Sequence, residues 1–161
     1  MSVLHKHENI SYANGCGNFE RNILLTPEGV LVVDLRGAIT RTTITGVMRQ
    51  LRESHAREPA KSFCVLADKA LLVLGSRSLD VAGPGEALRL SGTLVVNEAA
   101  YPAVDVYAQR MARYGVLRVA FTSRVEGLAW ATRQALMVTA QELWEKARRE
   151  KAWRSAVQYA P

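Results

Sequence analysis

Gly29-Val30-Leu31-Val32-Val33-Asp34-Leu35-Arg36-Gly37 is the stretch on which the fold turns. A short run rich in valine and leucine, bounded by glycines, reads as a β-strand rather than a helix. Before it, Thr26-Pro27-Glu28-Gly29 sets proline and glycine in positions a tight turn uses, and Phe19 to Leu25 is another apolar-rich segment. The two segments are expected to pair as a hairpin. After it, Gly37 is expected to end the strand. Beyond Thr40, the apolar positions Ile44, Val47, Met48 and Leu51 follow the i, i+3, i+4, i+7 stripe of a helix lying on a sheet, which stops near Arg57 ahead of Pro59.

Phe63-Cys64-Val65-Leu66-Ala67 is a continuous apolar run, as in a central strand covered on both faces, with Asp68 and Lys69 at its edge. Leu71-Leu72-Val73-Leu74 either extends that strand or partners it. The glycine-rich stretch through Gly92 reads as loop with at most one short helix. Thr93 to Asn97 is a further strand. Pro102 then opens a helix whose face is Val104, Tyr107, Ala108 and Met111, with Gly115 as its stop, and Val116 to Phe121 is the last strand. The order predicts an α/β fold built on a single mixed, mostly parallel sheet of four to five strands with packed helices.

Ser123 and Glu126 have the spacing of a capping box at the start of a final helix. From Leu128 to Ala160 there is neither glycine nor proline, enough for about 30 helical residues or about 45 Å, more than the width of the domain. Either this helix breaks near Val138-Thr139 or its second half projects. The expected organisation is a flexible leader over residues 1–18, a domain over 19–137 and a C-terminal helical extension over 138–161.

The chain has 161 residues, 48% hydrophobic and 22% charged, with a formal net charge of +6. That is ordinary globular composition. No apolar run reaches the roughly 20 residues of a membrane-spanning helix, and the N-terminus lacks a secretion signal, so a cytoplasmic location is expected. Cys16 and Cys64 form no metal or disulfide pattern. Basic residues are scattered, and the densest group is laced by Glu142–Lys146, Glu145–Arg149 and Glu150–Arg154 pairs at i, i+4, the signature of a solvated helix face rather than a nucleic-acid surface.

Gly29 to Gly37 followed by a helix, the Tyr107-Ala108 to Gly115 segment, and Phe121-Thr122-Ser123 leading to Glu126-Gly127-Leu128-Ala129-Trp130-Ala131 together resemble the SpoIIAA-like branch of the STAS superfamily. The resemblance covers roughly residues 19–137. It implies a small non-enzymatic domain with a fold shared by anti-sigma factor antagonists and akin to the lipid-binding CRAL-TRIO modules. In the antagonists a serine or threonine in an Asp-x-Ser or Asp-x-Thr context after the third strand, at a helix start, accepts a regulatory phosphate. The matching positions here are Asp68-Lys69-Ala70, and alanine has no hydroxyl. Asp68 and Ala70 thus mark a degenerate switch position, with Ser76 or Ser78 as substitutes only if the segment is displaced.

No nucleophile elbow, Walker loop, dinucleotide fingerprint or HExxH zinc motif occurs, so no catalytic residue, metal or cofactor is expected. His5-Lys6-His7 reads as a tail, and His55 as an exposed histidine favoured by a helix C-terminus. Trp130 is expected in the core under the last helix. Leu143, Trp144, Trp153 and Val157 lie on the charge-rich extension, where a core is scarce, and are expected to form an interface with a second copy or another protein. Two functions stay open: a regulatory or protein-interaction module, homodimeric or bound to another protein, and a carrier of a small apolar or anionic, lipid-like ligand between sheet and helices.

Overall fold

A computed structural model describes residues 20–72 and 88–160. The expected leader with His5, His7 and Cys16, the substitute serines Ser76 and Ser78, and most of the glycine-rich stretch lie outside the described residues. Strand β1 (Glu20–Leu25) and strand β2 (Val30–Ile39) form the expected hairpin, antiparallel with Ile23 opposite Val33 and Leu25 opposite Leu31. Thr26 closes its turn by accepting at Oγ1 from the Val30 amide at 3.1 Å. Helix α1 (Arg41–Arg57) follows, then β3 (Ser62–Ala67), β4 (Ala70–Leu72), β5 (Ser91–Val96), α2 (Tyr101–Arg113), β6 (Arg118–Phe121) and α3 (Arg124–Gln158).

The strands make one mixed sheet in the order β1-β2-β3-β5-β6, with β4 also paired to β2. Every pairing except β1 with β2 is parallel. Alternation along the strands builds two apolar layers. Leu31, Val33, Leu35, Phe63 and Val65 face α1 and α2 through Val47, Leu51 and Val104. Val30, Cys64, Leu66 and Val95 face α3 through Ala131 and Ala135. β3 is buried at every position, as its continuous apolar run predicts for a central strand.

Gly37 does not end β2. The strand runs on to Ile39, and the glycine marks a register slip: Asp34 pairs with Leu66 but Gly37 pairs with Ala70, so Leu35 and Arg36 face Ala67, Asp68 and Lys69. This is a bulge in the 67–69 segment, and opposite it Gly37 at φ +83° takes a left-handed conformation that glycine adopts without strain. β4 thus extends β3 past the bulge, the first of the two expected alternatives.

The capping box sits at α1 rather than α3. Thr40 and Thr43 exchange backbone and side-chain hydrogen bonds at the α1 start. Ser123 does cap α3 by accepting from the Glu126 amide at 3.3 Å, but among the described residues Glu126 returns no bond. His55 is half-buried rather than exposed, its Nδ1 accepting from the Ala60 amide at 3.0 Å where the chain turns into β3. Arg118, an arginine inside an apolar strand, is buried over the Phe63 ring at 4.5 Å and donates to the carbonyls of Leu88, Leu90 and Leu117. It thereby ties the residues that lead into β5 to the edge strand β6.

Candidate functional site

Helix α3 is continuous for 35 residues, about 52 Å at 1.5 Å per residue. It does not break at Val138-Thr139. Thr139 Oγ1 donates to the Ala135 carbonyl at 3.2 Å, satisfying the hydroxyl within the helix, and accepts from Lys61 Nζ at 2.8 Å. Of the two expected alternatives, the projecting helix is the one observed.

The first half of α3 is anchored at both ends. Arg124, its first residue, bridges Asp34 on β2 and Asp68 in the bulge: Nε reaches both Asp68 oxygens at 2.9 Å, and Nη2 reaches Asp34 at 3.0 Å. Asp68 lies two residues beyond the Leu66 that pairs with Asp34, and both carboxylates meet on Arg124. Arg36 lies 3.7 Å from Asp34, so two carboxylates are matched by two guanidinium groups. Partial burial pushes Asp68 upward, but the hydrogen bonds from Arg124, its own backbone amide and the charges of Arg124 and Lys69 outweigh this and hold the carboxyl below its ordinary value. At the other end, Lys61 Nζ holds Glu142 at 3.0 Å as well as Thr139.

Between these anchors the helix presents Gly127, Ala131 and Ala135, small residues spaced by four, to the sheet. The approach is close enough that a Cβ on Gly127 would come within 2.4 Å of Val95 Cγ2. Two buried sheet hydroxyls bond directly to the helix backbone, Ser62 Oγ to the Ala131 carbonyl at 2.6 Å and Thr93 Oγ1 to that of Gly127 at 3.3 Å. Cys64 lies in the same layer. Its thiol is pushed up to about 11, chiefly by burial and further by Asp68, against the opposing hydrogen bond to Thr93 and charge of Arg124. At neutral pH it is a packing group and not a nucleophile.

The second half is different. From Leu143 to Gln158 every residue except Glu145 is exposed. The four residues expected to form an interface are there: Leu143 at 62%, Trp144 at 62%, Trp153 at 67% and Val157 at 54% exposure. Trp144 has the Arg148 guanidinium 5.4 Å above its ring. Trp130, expected in the core, is instead half-buried on the flank of α3, because the sheet takes only the small-residue face of the helix.

The two positions of the degenerate switch are held in other ways. Asp68 is consumed by Arg124, and Ala70 is buried in β4, its carbonyl accepting from Asn97 Nδ2 at 3.3 Å. Where the resemblance calls for a helix start, the chain forms a bulge and a strand.

Sequence reasoning missed the Arg124–Asp34–Asp68 clasp and the Lys61 anchor, both of which join residues far apart in the chain. The small-residue row Gly127, Ala131, Ala135 was the one available signal, since its spacing by four is readable without coordinates. Among the described residues no group of three or more His, Cys, Asp or Glu side chains is placed to hold a metal ion, and no helix is long and apolar enough to cross a membrane. The chain matches no protein-family model, and no curated protein matches it.

Proposed function

We propose that the chain is a non-enzymatic regulatory or protein-interaction module of the SpoIIAA-like STAS type, and that the projecting half of α3 is its working surface, joining two copies in a homodimer. The observation that carries this reading is the exposure of Leu143, Trp153 and Val157 on a helix whose base is clamped at Arg124 and Lys61. Large apolar side chains held rigidly away from the body are the usual mark of an interaction site. Self-association satisfies them with one self-complementary patch.

The alternative, a carrier of an apolar or lipid-like ligand between sheet and helices, needs a separable layer. Against it stand the close approach of Gly127 to Val95 and the two hydroxyl bonds from Ser62 and Thr93, which seat α3 directly on the sheet at Gly127 and Ala131. The proposed module does not use the phosphate switch of its family at Asp68 to Ala70, because Ala70 lacks a hydroxyl and Asp68 is paired.

Sedimentation of the full chain tests the proposal. A dimer is expected, and Leu143→Ala combined with Trp153→Ala should convert it to a folded monomer with an unchanged circular dichroism spectrum. A wild-type monomer at tens of micromolar would sink the homodimer reading.

A further inference from the structure

We infer, resting on the dimer reading above, that the second copy pairs with α3 antiparallel, about a two-fold axis level with Arg148. Leu143, Lys146, Glu150, Trp153 and Val157 recur at intervals of three and four, so on a helix pair wound to 3.5 residues per turn they fall along one seam. All are exposed, and Thr139 continues the same seam toward the body.

The seam is not uniformly apolar, and its polar centre identifies the occupant. Lys146 and Glu150 lie equally far on either side of position 148, as do Leu143 and Trp153, and again Thr139 and Val157. An antiparallel copy centred at 148 therefore sets Lys146 against Glu150 of the second copy, twice by symmetry. It also sets Leu143 against Trp153 twice, and Thr139 against Val157 twice. A parallel copy would oppose lysine to lysine and glutamate to glutamate, which is repulsive. The sequence of α3 is thus charge-complementary to itself in one orientation.

Neighbouring residues fit the same arrangement. Ala147, on the flank of the seam beside the axis, is small and lets the helices approach. Arg149 on the other flank would come near its symmetry mate, but each is already held by its own Glu145 at 3.7 Å. The shared stretch from 139 to 157 is about 28 Å of helix. Trp144 follows Leu143 by one position and so points away from the seam, with Arg148 stacked on it.

Charge reversal on the full chain tests this register. Lys146→Glu alone and Glu150→Lys alone should each weaken the dimer by about 100-fold or more, since each places like charges at two contacts. Mixing the two variants in equal amounts should restore a dimer holding one copy of each, recognisable by mass in native mass spectrometry, and the double variant K146E/E150K should dimerise with itself. Trp144→Ala should leave the dimer intact. Both reversed positions are exposed, and circular dichroism checks that the fold is kept. A wild-type dimer whose single variants associate as tightly as wild type, or whose mixture stays monomeric, would overturn the antiparallel register while leaving the dimer in place. A wild-type monomer would instead remove the reading on which the register rests.

Discussion

The two halves of α3 share one continuous helix and make opposite uses of their side chains. Residues 124–142 turn glycine and alanine toward the sheet and are clamped by Arg124 at one end and Lys61 at the other. Residues 143–158 carry leucine, valine and two tryptophans and are exposed at every position but Glu145. Small residues allow the helix axis to come close to a sheet that is already filled by Val30, Leu66 and Val95. Large ones at the same angular positions would hold the helix off. The comparison teaches that apolar bulk on a helix is not by itself a sign of core: in α3 the core contact is made where the side chains are smallest.

The sharpest way to break this comparison is to make the same substitution in both halves. Ala131→Leu, at a fully buried position between the anchors, should destabilise the fold by about 3 kcal/mol, because the sheet leaves no volume for three more carbons. Ala152→Leu, exposed in the projecting half and off the seam, should change it by less than about 0.5 kcal/mol. Chemical denaturation of each variant measures the difference, and equal losses would show that the two halves are packed alike.

The clasp at the base gives the next effect in size. Arg124→Ala strands Asp34 and Asp68 side by side, and since all three side chains are only partly buried the loss should be about 1–2 kcal/mol, between the exposed and buried extremes. Because Asp68 is held below its ordinary value in the fold, its contribution is fully present above the unfolded carboxyl value of about 4 and is lost as the pH falls through the lower folded value. Denaturation midpoints followed from pH 6 to pH 2 should therefore fall for the wild type, and fall less steeply for Arg124→Ala. Parallel acid limbs in the two proteins would rule out the clasp as the source. The smallest effect is at the cap: Ser123→Ala removes one acceptor at the start of α3 and should lower stability by about 1 kcal/mol.

Much of the secondary structure was legible in the chain because its signals are local. The turn at Thr26 to Gly29, the stripe Ile44, Val47, Met48, Leu51, the proline at 102 and the serine at 123 act within a few residues of themselves. The run Phe63 to Ala67 likewise announced a strand covered on both faces. Local signals also misled where a distant partner changed their meaning. Gly37 reads as a stop, but β2 runs on through it to Ile39, opposite a bulge in the neighbouring strand. His55 reads as a solvent-facing helix end until the turn into β3 brings the Ala60 amide to its ring.

The order of the elements and the α/β class were readable from the chain alone, because their signals are local, while the absence of glycine and proline from Leu128 to Ala160 allowed a long final helix without deciding between a break at Val138-Thr139 and a projecting second half. What only the tertiary structure decided is which part of that helix is core. Trp130 was expected to be the buried residue, whereas the buried face is Gly127, Ala131 and Ala135. The depth available above the sheet is set by Val95, Ser62 and Thr93, residues more than 30 positions away, and it admits a backbone with almost no side chain. The clasp has the same origin: Asp34 within β2, Asp68 just past the end of β3 and Arg124 at the start of α3 are far apart in the chain, and only the parallel pairing of the strands and the seating of the helix bring them together.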